Sequence, residues 1–156
     1  MKESVKTEEI SPATKMDAIN AVKLIKKFIS KVQLNGIAYA FESEEKQFFF
    51  DKMVEMAHVI KTMPKTMEQD GQGDNAIAYL HYFIGACDWY IIEKDMLKEQ
   101  YQAFGLADLG YGSELGFIPI TELMANNVEL DLHFEPQAIG DLKKQLQVKN
   151  GTSLYQ

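Results

Sequence analysis

The sequence contains no arginine and a single cysteine, Cys87, among its 156 residues. One cysteine excludes an intramolecular disulfide and any paired-cysteine metal or redox motif. Arginine is the preferred side chain for bidentate contacts with phosphates and guanine edges, so its absence argues against a dedicated nucleic-acid reader. No apolar run approaches the roughly 20 residues that a membrane span requires. The charged first residues lack the apolar core of a signal peptide, and we expect a cytoplasmic protein.

The charges are unevenly distributed along the chain, whose net charge is −7. Residues 1–35 carry seven lysines and four acids, whereas residues 36–156 carry nine lysines and nineteen acids, so the local charges are +3 and −10. Between residues 66 and 135, thirteen acids accompany only Lys94 and Lys98. Such a region repels nucleic acid and attracts basic surfaces or cations. We therefore expect a protein partner, no nucleic acid and no membrane, and leave the oligomeric state open.

The hydrophobic pattern predicts one domain over residues 13–148, between flexible tails at 1–12 and 149–156. Its helical part is 13–63. Apolar residues spaced alternately by four and three predict a helix over 13–33 and a second helix over 43–63, with a short strand at 37–41 between them. Residues 65–75, which are rich in glycine and aspartate, are predicted to form a loop.

The second part of the domain, residues 76–148, has the two-residue period of strands. We predict a hairpin from 76–83 and 88–94, strands at 101–109 and 114–118, and a short helix at 120–125. The clearest alternation predicts a strand at 128–135, and a last helix follows over 136–148. The predicted fold class is therefore α+β: a mostly antiparallel sheet of about four to five strands, with two N-terminal helices and a C-terminal helix.

No motif with a strong catalytic mechanism is present, so paired carboxylates are the remaining candidates for chemistry. In a regular strand Glu93 and Asp95 share one face with Trp89, while Asp88 and Tyr90 point to the other face. Glu93 and Asp95 could therefore bind a divalent cation or act as an acid/base pair. The alternative is a solvated strand end.

A second alternation places His133 between carboxylates, a pattern typical of metal ligands and equally of any half-exposed strand. The alternating residues are Glu129, Asp131, His133 and Glu135. His81, among aromatic and apolar neighbours, is interpreted as a hydrogen-bonded histidine of the sheet.

Four blocks stand in the order of a known pattern: the run from His81 to Asp95, Phe104-Gly105, Glu114-Leu115-Gly116-Phe117, and the run from Asp131 to Pro136. In these blocks the chain resembles a bacterial family of unknown function carried by plasmids, prophages and conjugative elements. That family also occurs as a module of large polyvalent proteins of such elements. The resemblance covers roughly residues 64–145, and Cys87 stands where serine is usual. It implies cargo of a mobile element and no particular reaction.

Two functional hypotheses follow. The first is a non-catalytic protein-interaction module with an acidic surface, for example an inhibitor of a host defence system such as restriction or CRISPR. The second is a metal-binding protein or small hydrolase or nuclease, in which a carboxylate cluster would hold a divalent metal; otherwise no cofactor is expected. No catalytic residue is assigned. The candidate functional residues are Asp88, Trp89, Tyr90, Glu93, Asp95, Glu114, Asp131 and His133.

Overall fold

The structure is a computed structural model that describes residues 11–151. Its helices are α1 (Lys15–Ile25), α2 (Lys31–Ala40), α3 (Lys46–Thr62), α4 (Ile120–Ala125) and α5 (Ile139–Gly151). Its strands are β1 (Ile77–Ala78), β2 (Leu80–Ile84), β3 (Cys87–Glu93), β4 (Ala103–Asp108), β5 (Ser113–Ile118), β6 (Glu129–Leu130) and β7 (Gln137–Ala138). Most of the two predicted tails lies outside the described residues, but 149–151 belong to α5 and not to a tail.

The predicted helix over 13–33 is divided into α1 and α2. A single 3₁₀ turn at Lys26–Phe28 ends the first piece, and the Ser30 hydroxyl accepts a hydrogen bond from the Gln33 amide to begin the second. A serine cap of this kind starts a helix in a new direction. The second piece then runs on to Ala40, so the strand predicted at 37–41 is wrong: its apolar Ile37 is buried on a helix.

The third helix carries the face that its period predicts. Met53, Met56 and Ile60 are buried, although Phe50 is more deeply buried than its neighbour Phe49. Helix α1 packs closely against α3. Apolar residues spaced by three and four share one side of a helix, and these helices use that side to cover one face of the sheet. None of the helices within residues 11–151 is long and apolar enough to cross a membrane.

The sheet has the strand order β5-β4-β3-β2-β6, and every neighbouring pair is antiparallel. A separate two-stranded ladder joins β1 to β7. This arrangement confirms the predicted α+β class and the mostly antiparallel sheet. The hairpin between β2 and β3 turns at Gly85 and Ala86, and Gly85 has the positive φ of 55° that favours glycine.

The two faces of the sheet have different partners because successive side chains of a strand point to opposite sides. Tyr82 and Ile91 belong to the core shared with the N-terminal helices. Tyr90 and Leu106 belong to a second core, closed by Leu142 of α5. We call the face covered by α5 the α5 face. The predicted functional residues are distributed over both faces.

The strand predicted at 128–135 is much shorter than its alternation suggests. Strand β6 ends at Leu130, because the Asp131 carboxylate accepts the His133 amide at 2.9 Å and turns the chain. Aspartate commonly bonds the backbone two residues on and so competes with strand pairing. Beyond this turn, Phe134 returns over the α5 face and packs against its core.

A β-bulge changes the direction of Glu93. The pairing of β3 with β4 shifts between Ile91 and Glu93, so that Glu93 lies opposite Phe104. An extra residue in one strand reverses the alternation beyond it. Glu93 therefore does not share a face with Trp89 as the regular pattern predicted; it lies on the α5 face.

Candidate functional site

The hairpin register brings the first polar residues of the site together. His81 of β2 lies opposite Tyr90 of β3, and Phe83 lies opposite Asp88. All four side chains point to the α5 face, where residues opposite or diagonal to one another can touch. Asp131 joins them, because its amide donates to the His81 carbonyl at 2.8 Å just past the end of β6.

The His81 ring lies between two carboxylates. Its Nδ1 is 2.9 Å from Asp131 Oδ2, and its Nε2 is 2.8 Å from Asp88 Oδ1. Ionised carboxylates accept hydrogen bonds and do not donate them, whereas a neutral imidazole carries one proton only. Both contacts are therefore hydrogen bonds when the ring is the doubly protonated imidazolium. A ring held in this way has no free nitrogen to take a proton from a substrate.

Aromatic rings surround the imidazole. The Tyr90 ring stacks on it with centroids 4.5 Å apart and an interplanar angle of 9°. The rings of Phe83 and Phe134 lie 5.6 and 5.7 Å away. Aromatic faces attract a planar cation, which is the form in which the ring can donate to both carboxylates. We call His81, Asp88 and Asp131 the histidine triad.

The C-terminal end of α5 closes one side of the triad. Lys149 Nζ donates to Asp88 Oδ2 at 2.6 Å, and this hydrogen bond raises the pKa of Lys149. Asn150 donates to Asp108 Oδ2 at 2.8 Å. Burial opposes the ionisation of Asp108, but the hydrogen bonds from Asn150 and the Gly110 amide outweigh it and lower its pKa. The cationic and amide side chains thus tie the last turn of α5 to the sheet.

A cavity of about 370 Å³ opens on the other side of the triad. It is lined by His81, Tyr90, Asp131, His133, Phe134, Glu135, Gln137, Leu142 and Gln145. We call it the triad pocket. Its lining combines two carboxylates with aromatic faces, and it opens towards solvent beside the exposed Glu135.

Tyr90 contributes to the triad pocket a phenol whose hydroxyl reaches solvent. It is 9% exposed, and its hydroxyl has no hydrogen-bond partner among the described residues. Burial, together with the charges of Asp88, Asp131 and Asp108, raises its pKa to about 12. The phenol is therefore neutral near pH 7 and its oxygen can accept a hydrogen bond.

The structure brings together only some of the predicted functional residues. Asp88, Tyr90 and Asp131 meet at His81, and His133 lies at the rim, with its ring stacked on Phe48 at 5.7 Å. Trp89 points to the opposite face and packs against the helical core. Glu114 is exposed on β5, also on the helical side, opposite Ala107.

Glu93 and Asp95 hold loops in place. The two oxygens of Glu93 accept the amides of Met67 and Gln69, at 3.1 and 2.5 Å. The carboxylate of Asp95 accepts three backbone amides at 2.9 to 3.0 Å, from Leu97, Tyr101 and Gln102. Acceptors saturated by backbone donors are poorly placed to bind a metal or a substrate. Within residues 11–151, no group of three or more His, Cys, Asp or Glu side chains could hold a metal ion.

Two central residues were absent from the sequence-based set of functional residues. His81 was interpreted only as a hydrogen-bonded histidine of the sheet, which is confirmed, and its two carboxylate partners were not foreseen. The two-residue turn at Gly85 and Ala86 fixes the register of the hairpin and so places Phe83 opposite Asp88. Because His81 stands two positions before Phe83, this turn was the signal in the sequence for the contact between His81 and Asp88. Lys149 gave no signal, since 61 residues separate it from Asp88.

The comparisons with known proteins agree with the resemblance at the level of the family. A family model described as "Protein of unknown function (DUF2958)" matches residues 52–148, which is more than half of the chain and includes the whole histidine triad. No curated protein and no solved structure matches the sequence.

Proposed function

The chain belongs to the family described as protein of unknown function (DUF2958), and we propose that this member is a non-catalytic protein-binding module. Its partner is a protein with a basic surface, and one lysine or arginine side chain of that partner enters the triad pocket. The observation that carries the proposal is an open pocket whose lining combines the Asp131 and Glu135 carboxylates with the neutral Tyr90 phenol, whose hydroxyl reaches solvent and bonds no described residue.

The lining of the triad pocket suits an organic cation. Asp131 and Glu135 place two carboxylates in the lining, and Asp88, which bonds both His81 and Lys149, lies next to it. Phe134 and Tyr90 offer ring faces, which attract ammonium and guanidinium groups. The Tyr90 oxygen can accept one of their N–H groups.

The acids outside the pocket support a basic partner, although fewer of them are free than the sequence suggests. Of the thirteen acids between residues 66 and 135, five are bound inside the fold and Asp74 pairs with Lys143. The other seven are exposed and form no ion pair with any residue in the described range: Glu68, Asp70, Glu99, Glu114, Glu122, Glu129 and Glu135. Like charges of this density steer a basic partner towards the surface.

The carboxylate arrangement supports binding rather than catalysis. A general base needs a free proton acceptor within reach of its substrate. Both ring nitrogens of His81 are bound, and the oxygens of Glu93 and Asp95 are occupied by backbone amides. Among the carboxylates of the predicted functional residues, Asp88 and Asp131 meet at one side chain, whereas Glu93, Asp95 and Glu114 lie elsewhere.

The biological setting that we propose is a mobile genetic element, where the partner would be a host defence protein. The resemblance described above supports the setting. Proteins that restrict foreign DNA carry basic surfaces for the phosphate backbone, and an acidic surface with a pocket for a basic side chain could occupy such a surface. We propose that the interaction takes place in the cytoplasm.

A titration with single basic side chains tests the pocket directly. N-acetyl-arginine amide and N-acetyl-lysine amide are added to the whole chain while the ring signals of residue 90 and of His81 are followed by NMR. We expect saturable shifts that weaken several-fold in Tyr90→Phe and Glu135→Gln. Glu122→Gln removes the same charge from the exposed surface of α4 and serves as the matched control. Shifts of equal size in all four proteins would refute a specific pocket.

Capture of partners from bacterial lysate then tests the function. Immobilised wild type, Glu135→Gln and Glu122→Gln are compared by mass spectrometry at two salt concentrations. A partner held by the triad pocket is depleted on Glu135→Gln and retained on Glu122→Gln. Proteins captured equally by the wild type and both variants are held by general charge, and if no other proteins are captured the proposal is wrong.

A further inference from the structure

A second cavity, of about 380 Å³, lies on the opposite side of the sheet from α5. It is formed where the C-terminal ends of α1 and α3 meet the segment that follows β3. Its lining comprises Leu24, Ile25, Lys27, Phe28, Ala57, Ile60, Lys61, Lys65, Lys94, Asp95, Lys98 and Gln100. We call it the lysine pocket. Its volume lies within the range of small-molecule sites.

The fold gathers lysines at this cavity from three distant parts of the sequence. The five are Lys27, Lys61, Lys65, Lys94 and Lys98. With Asp95 as the single acid of the lining, the local charge is +4, so the rest of this chain of net charge −7 carries −11. Lys94 and Lys98 are the only lysines between residues 66 and 135, and both are placed here.

The positive charge of the lysine pocket is not neutralised within the fold. None of its five lysines forms an ion pair with any carboxylate in the described part of the chain. The one carboxylate of the lining, Asp95, already accepts three backbone amides. Five like charges around one cavity repel one another, and a bound anion removes that repulsion.

Among the five lysines of the pocket, Lys94 has an ammonium group that hydrogen bonds hold in position. Its Nζ donates to the carbonyls of Ile60 and Lys61 at the end of α3, the second at 3.1 Å. An ammonium group has three donors, so one remains. Burial, and the neighbouring charges of Lys65 and Lys98, lower its pKa. The side chain is thus held in one position by the helix end instead of moving freely in solvent.

The other side of the lining is apolar. Ile25, Phe28 and Ile60 are buried side chains of the helical core that border the cavity, and Leu24 is exposed beside them. A ligand that fills the cavity therefore meets charge on one side and hydrocarbon on the other. A nucleoside or another flat organic group bonded to phosphate likewise has a charged part and an organic part.

We propose that the lysine pocket binds a small phosphate-bearing ligand, with its phosphates at the five lysines and its organic part against Phe28 and Leu24. Ammonium groups bind phosphate as point charges and do not require the planar fork of arginine, which this chain lacks. A long nucleic acid is disfavoured, because the rest of the chain carries a net charge of −11 and would repel a polyanion that extends beyond the pocket.

Calorimetric titration of the whole chain with ADP, pyrophosphate and adenosine tests the proposal. We expect ADP to bind more tightly than pyrophosphate, and adenosine not to bind in the same range. The double substitution Lys65→Gln/Lys98→Gln is expected to weaken ADP binding about tenfold or more, equivalent to about 1.4 kcal/mol. Both lysines are exposed and unpaired with acids, so we expect the variant to fold normally.

The matched control is Lys46→Gln/Lys144→Gln, which changes the net charge equally at exposed positions outside the lining. It should retain ADP affinity within about twofold. Absence of ADP and pyrophosphate binding at millimolar concentration overturns the proposal, as does an equal loss in both double variants. A ten-nucleotide single strand that binds far more tightly than ADP, with the same dependence on Lys65 and Lys98, would make the site a nucleic-acid contact instead. These outcomes are independent of the triad pocket.

Discussion

At the scale of single residues, two buried tyrosines of the sheet differ in what their hydroxyls contact. Tyr82 is fully buried and donates to the Phe28 carbonyl at 2.6 Å, whereas the Tyr90 hydroxyl has no hydrogen bond within residues 11–151. Burial raises the pKa of both phenols. We infer that the first hydroxyl serves stability, since it ties the sheet to the turn after α1, and that the second serves binding.

The two tyrosines give a matched pair of substitutions. Tyr82→Phe leaves a buried carbonyl without its donor and should lower the free energy of unfolding by about 1–2 kcal/mol. Tyr90→Phe removes a hydroxyl that makes no hydrogen bond and should change it by less than about 0.5 kcal/mol. Urea unfolding monitored by circular dichroism measures both. An equal loss in the two variants would contradict the assignment of Tyr90 to binding.

Two glycines that face each other across β4 and β5 give a second matched pair. A Cβ on Gly105 would lie 1.9 Å from the backbone oxygen of Tyr90, whereas one on Gly116 would meet nothing within 4 Å. Gly105→Ala must push the strands apart and should cost roughly 3 kcal/mol or more. Gly116→Ala should stabilise by about 0.5 kcal/mol, since glycine is unfavourable in strands. Thermal unfolding distinguishes them, and opposite signs are the decisive result.

At the scale of elements, the two edges of the sheet are treated differently. The side-chain amide of Gln33, in α2, makes two hydrogen bonds with the backbone of Leu130, each 2.8 Å long. Its nitrogen donates to the Leu130 carbonyl and its oxygen accepts from the Leu130 N–H, so the side chain covers the edge of β6 as another strand would. Within the part of the chain that the structure describes, no strand pairs with the outer edge of β5. That strand exposes Leu115 and Phe117 and contains neither lysine nor proline. Such an edge is prone to pair with another chain.

Protecting the open edge should reduce association. Phe117→Lys places a charge on β5 and should raise the temperature at which aggregation begins, although the loss of its edge-on contact with the Phe104 ring should lower the free energy of unfolding by about 0.5–1.5 kcal/mol. Leu97→Lys makes the same change of charge on an exposed loop residue and is the control. Light scattering during heating compares the three proteins. A similar rise for both variants would assign the effect to net charge and not to the edge.

At the scale of the whole molecule, stability depends on acids that the fold has taken up. The backbone amide of Leu97 lowers the pKa of Asp95, which burial partly opposes, and those of Gln102 and Tyr101 lower it further. The pKa of Asp108 is lowered as well. A carboxyl whose folded pKa is depressed stabilises the fold above its unfolded pKa, and this stability is lost as the pH falls through the folded pKa.

The predicted pH dependence follows for Asp95. At pH 7, Asp95→Asn should lower the free energy of unfolding by about 1–3 kcal/mol, because the amide cannot replace a carboxylate that accepts three amides. The difference in unfolding free energy between the variant and wild type should narrow as the pH falls below 3.8, the ordinary pKa of an aspartate carboxyl. Urea unfolding at pH 7, 5 and 3 measures it. Asp70→Asn, at an exposed loop position, should show no such dependence.

The whole molecule also separates its charges in a way that the sequence only half reveals. The lysine-rich first 35 residues were apparent in the sequence, yet of the lysines at positions 11–35 the lysine pocket is lined by Lys27 alone. Four of its lysines come from the part of the chain that carries the local charge of −10. Net charge per segment therefore gave the overall sign but not the position of the positive cavity.

Local patterns predicted what local interactions determine. The alternation and the glycine turn predicted the hairpin of β2 and β3, and the apolar spacing predicted α3, because neighbours in sequence decide which face of an element is apolar. The same spacing ran through residues 13–33 without indicating that the chain turns at Ser30. It also continued through 128–135, where the Asp131 side chain ends the strand.

The sequence by itself determined the class of fold, the excess of acids and the candidate residues Asp88, Tyr90 and Asp131. Only the tertiary structure decided that these three meet at His81, that Glu93 turns away from Trp89, and that five scattered lysines form one cavity. The physical reason is distance along the chain. A site depends on contacts between residues tens of positions apart, and their geometry is set by how helices and strands pack, whereas periodicity records only which side of each element is buried.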